Sequence, residues 1–203
     1  GAFRFYVDER VIVPRSFIAE LLPDGLAAFV GDREDVRTAL DLCTGSGCLA
    51  ILLAAAFADA DIDAVDLSSD ALAVAQRNVS DYGLADRVNL IRSDVYANLA
   101  GKNYDLIISN PPYVTAMAMD ELPAEYRHEP RLALAGGDDG LDVVRAIVKD
   151  APKYLNPGGT LVVEIGHNRN AVDAAFPRLP LVWLATASAE DSVFAIRRED
   201  LVR

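Results

Sequence analysis

Strand-like and helix-like segments alternate along most of these 203 residues, and that alternation predicts an α/β chain with a mostly parallel sheet. The final two strand-like runs, 181–185 and 192–196, are joined by a polar loop too short for a crossover helix, so they must run antiparallel. Seven strand-like runs follow residue 30. The expected architecture is a seven-stranded, mostly parallel sheet ending in an antiparallel hairpin.

Each element has its own signal. Residues 3–13 read as two short strands around an Asp8-Glu9 turn, closed by Pro14-Arg15, and residues 16–30 read as an amphipathic helix. The run 36–42 is a first buried strand, and 47–58 is an apolar helix. Ile62 to Leu67 is a second strand, followed by a helix from Ser69 to Tyr82 with Leu72, Ala75 and Val79 on one face. Strands at 88–92 and 104–109 precede a long loop and a helix over 139–155. In that helix Leu141, Val144, Val148, Ala151 and Leu155 recur at three- and four-residue spacing. Asn156-Pro157-Gly158-Gly159 turns the chain into a strand at 160–165. Residues 1–30 are expected to pack as a hairpin and helix on a core domain spanning 31–203.

With 52% hydrophobic residues the chain can bury a sizeable core without a staple. Cys43 and Cys48 lie too close for a disulfide framework and lack a metal spacing, so they read as free thiols of a cytoplasmic protein, with no metal. No apolar run reaches the roughly 18 residues of a membrane span. Asp and Glu number 31 against 19 Lys and Arg, a net charge of −12 with no basic run. That field disfavours nucleic acid and suits a basic protein partner.

Asp41-Leu42-Cys43-Thr44-Gly45-Ser46-Gly47-Cys48 ends the first strand and opens the next helix. Ligands of open α/β sheets bind beyond the carboxyl ends of strands. Gly45 and Gly47 admit close backbone approach, and the amides that start a helix suit a carboxylate. Asp66, nineteen residues past Gly47, ends the second strand beside Leu67 and fits an acidic residue gripping a ribose. Asp94 follows the third strand, where it can accept from an adenine amino group while Val95 packs on the ring. Acceptors at the ends of three adjacent strands describe adenosine with an amino-acid tail, S-adenosylmethionine, and leave no phosphate clamp for a dinucleotide. The plainer alternatives are a tight turn and solvated strand-end carboxylates.

Asn110-Pro111-Pro112-Tyr113 ends the fourth strand. The prolines remove two amide donors and stiffen the turn. The Asn110 side-chain oxygen and the Pro111 carbonyl can accept the two N–H bonds of a planar nitrogen, with Tyr113 as a flat wall. Positioning alone can then lower the barrier by ~7–11 kcal/mol without a dissociable base.

These strings resemble the protein-glutamine N-methyltransferase family, and most of all its branch acting on large-subunit ribosomal protein L-three. The resemblance is carried by Phe5-Tyr6-Val7-Asp8-Glu9-Arg10-Val11, Val13-Pro14-Arg15-Ser16, the run Asp41 to Cys48, and Asn110-Pro111-Pro112-Tyr113-Val114. It continues with Glu125-Tyr126-Arg127-His128-Glu129-Pro130 and Asp138-Asp139-Gly140-Leu141. It implies a Rossmann-like class I methyltransferase fold. It also implies S-adenosylmethionine as cofactor, S-adenosylhomocysteine as product, and a glutamine side-chain amide as acceptor. The family's amino-terminal helical docking domain is expected to be missing from this core. A sister branch that methylates release factors typically has Gly at the position of Cys43 and Thr-Glu where Ile18-Ala19 stand. Both departures favour the ribosomal-protein branch. An adenine amino-group methyltransferase of DNA or RNA shares the Asn110 motif and is the rival from another class.

Arg15 reads equally as a contact to the cofactor tail or the acceptor peptide, or as a structural ion pair. His128 is expected to order its loop with Arg127 and Glu129, Glu164 and His167 to be structural, and Trp183 to lie in the core.

Overall fold

The computed structural model describes residues 3–23, 26–120 and 130–202. Its elements in chain order are α1 (Ile18–Leu21), α2 (Ala27–Val30), β1 (Thr38–Leu42), α3 (Cys48–Ala56), β2 (Asp61–Asp66), α4 (Ser69–Asp81), β3 (Val88–Arg92) and β4 (Tyr104–Ser109). There follow α5 (Ala116–Asp120), α6 (Arg131–Leu134), α7 (Asp142–Tyr154), β5 (Leu155–Glu164), α8 (Arg169–Ala175), β6 (Val182–Leu184), β7 (Val193–Arg197) and α9 (Arg198–Leu201). The strands form one seven-stranded sheet in the order β3-β2-β1-β4-β5-β7-β6. Strands β1 to β5 pair in parallel, and β7 runs antiparallel to both β5 and β6. The expected hairpin is therefore present, with its second strand inserted inward against β5.

Two-residue periodicity divides the core between the faces of this sheet. Ala39, Ile62, Ala64, Leu106, Ile108 and Val162 point to one side, where α1 and α3 pack through Ile18, Leu21, Leu49, Ile51 and Leu53. Leu40, Leu42, Val65, Ile107, Leu161 and Val163 point to the other, against Val144, Ile147, Val148 and Ala151 of α7. Both faces being covered explains why the strands read as nearly continuous apolar runs. Helix α4 starts where the Ser68 hydroxyl accepts from the Ala71 amide, a side-chain cap for an otherwise unpaired donor. Within β5, pairing to β4 jumps from Leu155–Tyr104 to Thr160–Leu106, so Asn156-Pro157-Gly158-Gly159 bulges out as a turn sequence should.

The amino terminus departs from the hairpin and single helix expected there. Residues 3–8 are extended but belong to no sheet, because the backbone groups of Arg4 and Tyr6 pair with side chains of α4 and of Tyr82 at its end instead of a strand edge. The helix expected over 16–30 is two four-residue helices, and Pro23-Asp24-Gly25 stands between them in the sequence. Trp183 is only partly buried on the edge strand β6, with its ring edge-on to Phe194 and the Arg169 guanidinium 4.7 Å from its centroid.

Candidate active site

The strand order reverses between β1 and β4, and the chemistry-bearing residues line up along the carboxyl edge on either side of that point. Asp94, Asp66, the turn 43–47 and Asn110 follow β3, β2, β1 and β4 in turn. A single cavity is walled by Cys43, Gly45, Asp66, Leu67, Asp94, Val95, Asn110 and Pro112. Of the other residues singled out from sequence, Asp41 and Thr44 are buried below the turn, Pro111 is buried, and Gly47 starts α3.

The turn is held tightly. The Thr44 amide donates to the Val65 carbonyl (2.9 Å), and the Gly45 amide donates to Asp66 Oδ2 (2.9 Å). Asp66 Oδ1 accepts from the Ser68 amide (2.9 Å), so the carboxylate is fixed in orientation with lone pairs to spare. Burial raises the Asp66 pKa, against the opposing effect of those amides. Gly47 has φ 78°, and a Cβ there would lie 3.0 Å from the Cβ of Ala75, so α3 and α4 approach closely only because glycine stands between them. Cys43 also has positive φ, 61°, and burial pushes its thiol pKa up, chemistry that suits a packing group and not a nucleophile. Val95 is a β-branched residue at φ 46°, a backbone strain held in the cavity wall.

Beneath the turn, Asp41 is fully buried. Its Oδ2 accepts from the Thr44 hydroxyl at 2.5 Å, while Oδ1 forms no hydrogen bond among the described residues although the Ala50 amide approaches. Burial raises its pKa to about 7.

Asn110 leaves β4 with its side chain on the cavity and no hydrogen bond to any described residue. Tyr113 turns its ring against Gly166, where a Cβ would sit 2.6 Å from Cε2, and its carbonyl accepts from Asn168 Nδ2 (2.7 Å). The long segment after Tyr113 is anchored by a parallel bridge between Val114 and Ala135.

Sequence reasoning missed the rest of the cavity wall. Arg10, Val11 and Ile12 close one side, and Pro130, Leu132, Ala133 and Ala135 close another. Arg10 is the sole Lys or Arg among the described lining residues, and it is already bound by Asp8 through Nε (2.9 Å) and Nη2 (2.6 Å). That hydrogen-bonded pair holds Asp8 well below the usual carboxylate range. Glu164, structural as expected, accepts from the Ser16 hydroxyl (2.6 Å) and the Phe17 amide (2.9 Å), which fixes the entry to α1. Its burial raises its pKa. His167 is exposed, and His128 with the rest of 121–129 lies outside the described residues. No cluster of metal-ligating side chains occurs among the described residues.

A methyltransferase small domain model matches residues 23–125. The ribosomal protein uL3 glutamine methyltransferase of Neisseria meningitidis serogroup A / serotype 4A is 58% identical over 202 residues, covering 100% of this chain and 66% of the relative. Its namesake in Burkholderia pseudomallei is 58% identical over 205 residues, covering 98% and 67%. The chain belongs to this methyltransferase family.

The chain spans about two thirds of the length of these curated relatives. Solved structures agree on the fold. The hMettl16 catalytic domain, crystallised with the MAT2A 3′UTR hairpin 6, superposes at a TM-score of 0.72 with 15% identity, covering 94% of this chain and 73% of that one. A ribosomal protein L11 methylase from Lactobacillus delbrueckii subsp. bulgaricus gives 0.56 at 18% identity, covering 79% and 69%. Both carry the Rossmann-like sheet of class I methyltransferases, the fold that the family resemblance implied. No helix among the described residues is long and apolar enough to cross a membrane.

Proposed function

We propose that this chain is the catalytic core of a cytoplasmic S-adenosylmethionine-dependent enzyme that methylates a glutamine side-chain amide of large-subunit ribosomal protein uL3. The observation carrying this reading is an Asn110 amide that meets no described partner, at the mouth of the Asn-Pro-Pro-Tyr turn, in a chain 58% identical to enzymes of that name. The net charge of −12 suits a basic ribosomal protein as partner.

The cavity chemistry fits the cofactor. Val65, Leu67, Ala71 and Val95 offer apolar surface for an adenine, Asp66 keeps free lone pairs for ribose hydroxyls, and Asp94 faces the same space. Among the described lining residues the sole Lys or Arg is Arg10, already committed to Asp8, which disfavours a pyrophosphate. The turn over 43–47 would hold the amino-acid tail. When bound, the cofactor supplies an electrophilic methyl group on a positively charged sulfur.

The remaining work falls to this chain. Asn110 Oδ1 and the Pro111 carbonyl would each accept one N–H of the glutamine amide, drawing its lone pair toward the methyl and away from its own carbonyl. Because neither proline at 111 and 112 has an amide proton, that stretch of backbone offers acceptors only. The amide nitrogen would gain the methyl as the sulfur keeps the electron pair of the breaking bond, and its surplus N–H proton would pass to water, so no titrating side chain is needed. Asn110→Ala should leave S-adenosylhomocysteine affinity within a factor of a few while slowing methylation of uL3 by ~100-fold or more, the scale of one lost preorganised contact. Turnover surviving that substitution would place the acceptor site elsewhere.

A further inference from the structure

Asn78 lies on α4, away from the residues that line the cavity, and is 1% exposed. Both N–H donors and the carbonyl oxygen of its side chain are engaged by backbone groups from two distant segments. Oδ1 accepts from the Tyr6 amide (2.8 Å), and Nδ2 donates both to the Tyr6 carbonyl (3.0 Å) and to the Ser46 carbonyl (2.8 Å). Towards Tyr6, the Asn78 amide pairs as a neighbouring strand's peptide would. One helical turn along, Tyr82 Oη repeats the pattern, accepting from the Arg4 amide (2.8 Å) and donating to the Arg4 carbonyl (2.9 Å). Residues 4 and 6 are two apart on an extended chain, and 78 and 82 are four apart along a helical path, so the two spacings match at about 6–7 Å. The Arg77 guanidinium covers the Tyr6 ring at 3.6 Å.

This pairing lays an extended strap over α4 and carries Arg10, Val11 and Ile12 to the cavity wall. The opposite end of the Asn78 amide grips Ser46, between the Gly45 amide that anchors Asp66 and the Gly47 that abuts Ala75. Strap and glycine turn, separated by some forty residues of sequence, thus share one buried side chain.

We propose that Asn78 is a positioning residue that couples closure of the amino-terminal strap to the shape of the glycine turn, and thereby sets cofactor affinity. This rests on the reading of the cavity as the S-adenosylmethionine site. No ligand atom need touch Asn78; it acts through Ser46 and through the strap.

Three proteins in the full-length form test it, with S-adenosylhomocysteine as the probe. Asn78→Asp keeps the acceptor for the Tyr6 amide but sets an oxygen against two carbonyls. It should raise the Kd of the probe and the KM of the cofactor by about tenfold or more, while kcat at saturating cofactor stays within about threefold. Tyr82→Phe cuts only the outer end of the strap and spares Ser46, so its Kd should change far less while trypsin cleaves faster after Arg4 and Arg10. In the wild type, the probe should slow those same cleavages, a measurement that needs no variant to fold. An unchanged Kd in folded Asn78→Asp, a loss confined to kcat, or cleavage indifferent to the probe would each overturn the coupling. A wild type that fails to bind the probe would instead overturn the assignment of the cavity.

Discussion

Asp41 shows how a single side chain can be legible in type and hidden in behaviour. The sequence identifies it as the acid that opens the glycine turn, but only packing shows it fully buried with Oδ1 unpaired beneath the turn. Burial raises its pKa to about 7, so at lower pH the folded protein holds a proton that the unfolded chain, near 3.9, releases. The stability linked to that proton is full below about pH 4 and is lost as pH rises through 7, with a ceiling of about 4 kcal/mol. Asp41→Asn cannot ionise and keeps an acceptor for the Thr44 hydroxyl. Urea midpoints measured from pH 5 to 8 should therefore fall for the wild type relative to the variant. Glu164 is also raised, but it is present in both proteins and cancels in the difference, whereas Asp66, whose charge adds to the upward push on Asp41, belongs to the same effect. Parallel pH profiles would show that the carboxyl finds a partner. Arg10 stayed hidden for a related reason, since nothing in its neighbours reveals a cavity formed with segments more than thirty residues away.

Elements were legible where their pattern reports their own burial. The strands β3 and β4 fall where alternation and apolar runs put them, and α7 buries the stripe its spacing draws. The strap was misread because its partners are side chains of α4, and two-residue alternation cannot distinguish a strand edge from a helix face that mimics one. The short α8 and α9 carry too little periodicity to stand out from loop. Another element-scale device is Arg87, whose guanidinium donates to the carbonyls of Ala54 (3.1 Å), Phe57 (2.7 Å) and Ala60 (2.7 Å) where α3 ends. Carbonyls at a helix end lack partners within the helix, and a planar cation with several donors can serve three at once. Arg87→Ala should lower stability by about 2 kcal/mol in urea titration, with Arg87→Lys recovering only part, because a single ammonium cannot span three sites. A loss under half a kilocalorie would mean that water replaces the clamp.

For the whole molecule, the sheet order gathers one chemical function at the end of each of four adjacent strands, and the switch point opens the space between them. That arrangement was readable because each group directly follows its strand in the sequence. The roof built from 10–12 and 130–135 was not, because it returns to the cavity through loops whose ends no local pattern fixes. Under the proposed function, this cavity delivers a methyl group to a planar amide nitrogen on a basic ribosomal protein. The most direct measurement gives the full-length protein isotopically labelled S-adenosylmethionine with uL3, a release factor and ribosomal RNA in competition, and locates the label by mass spectrometry. Label is expected on a glutamine side chain of uL3, and should be absent when Asn110 is replaced by alanine. Label on adenine in the RNA, with neither protein modified, would contradict it.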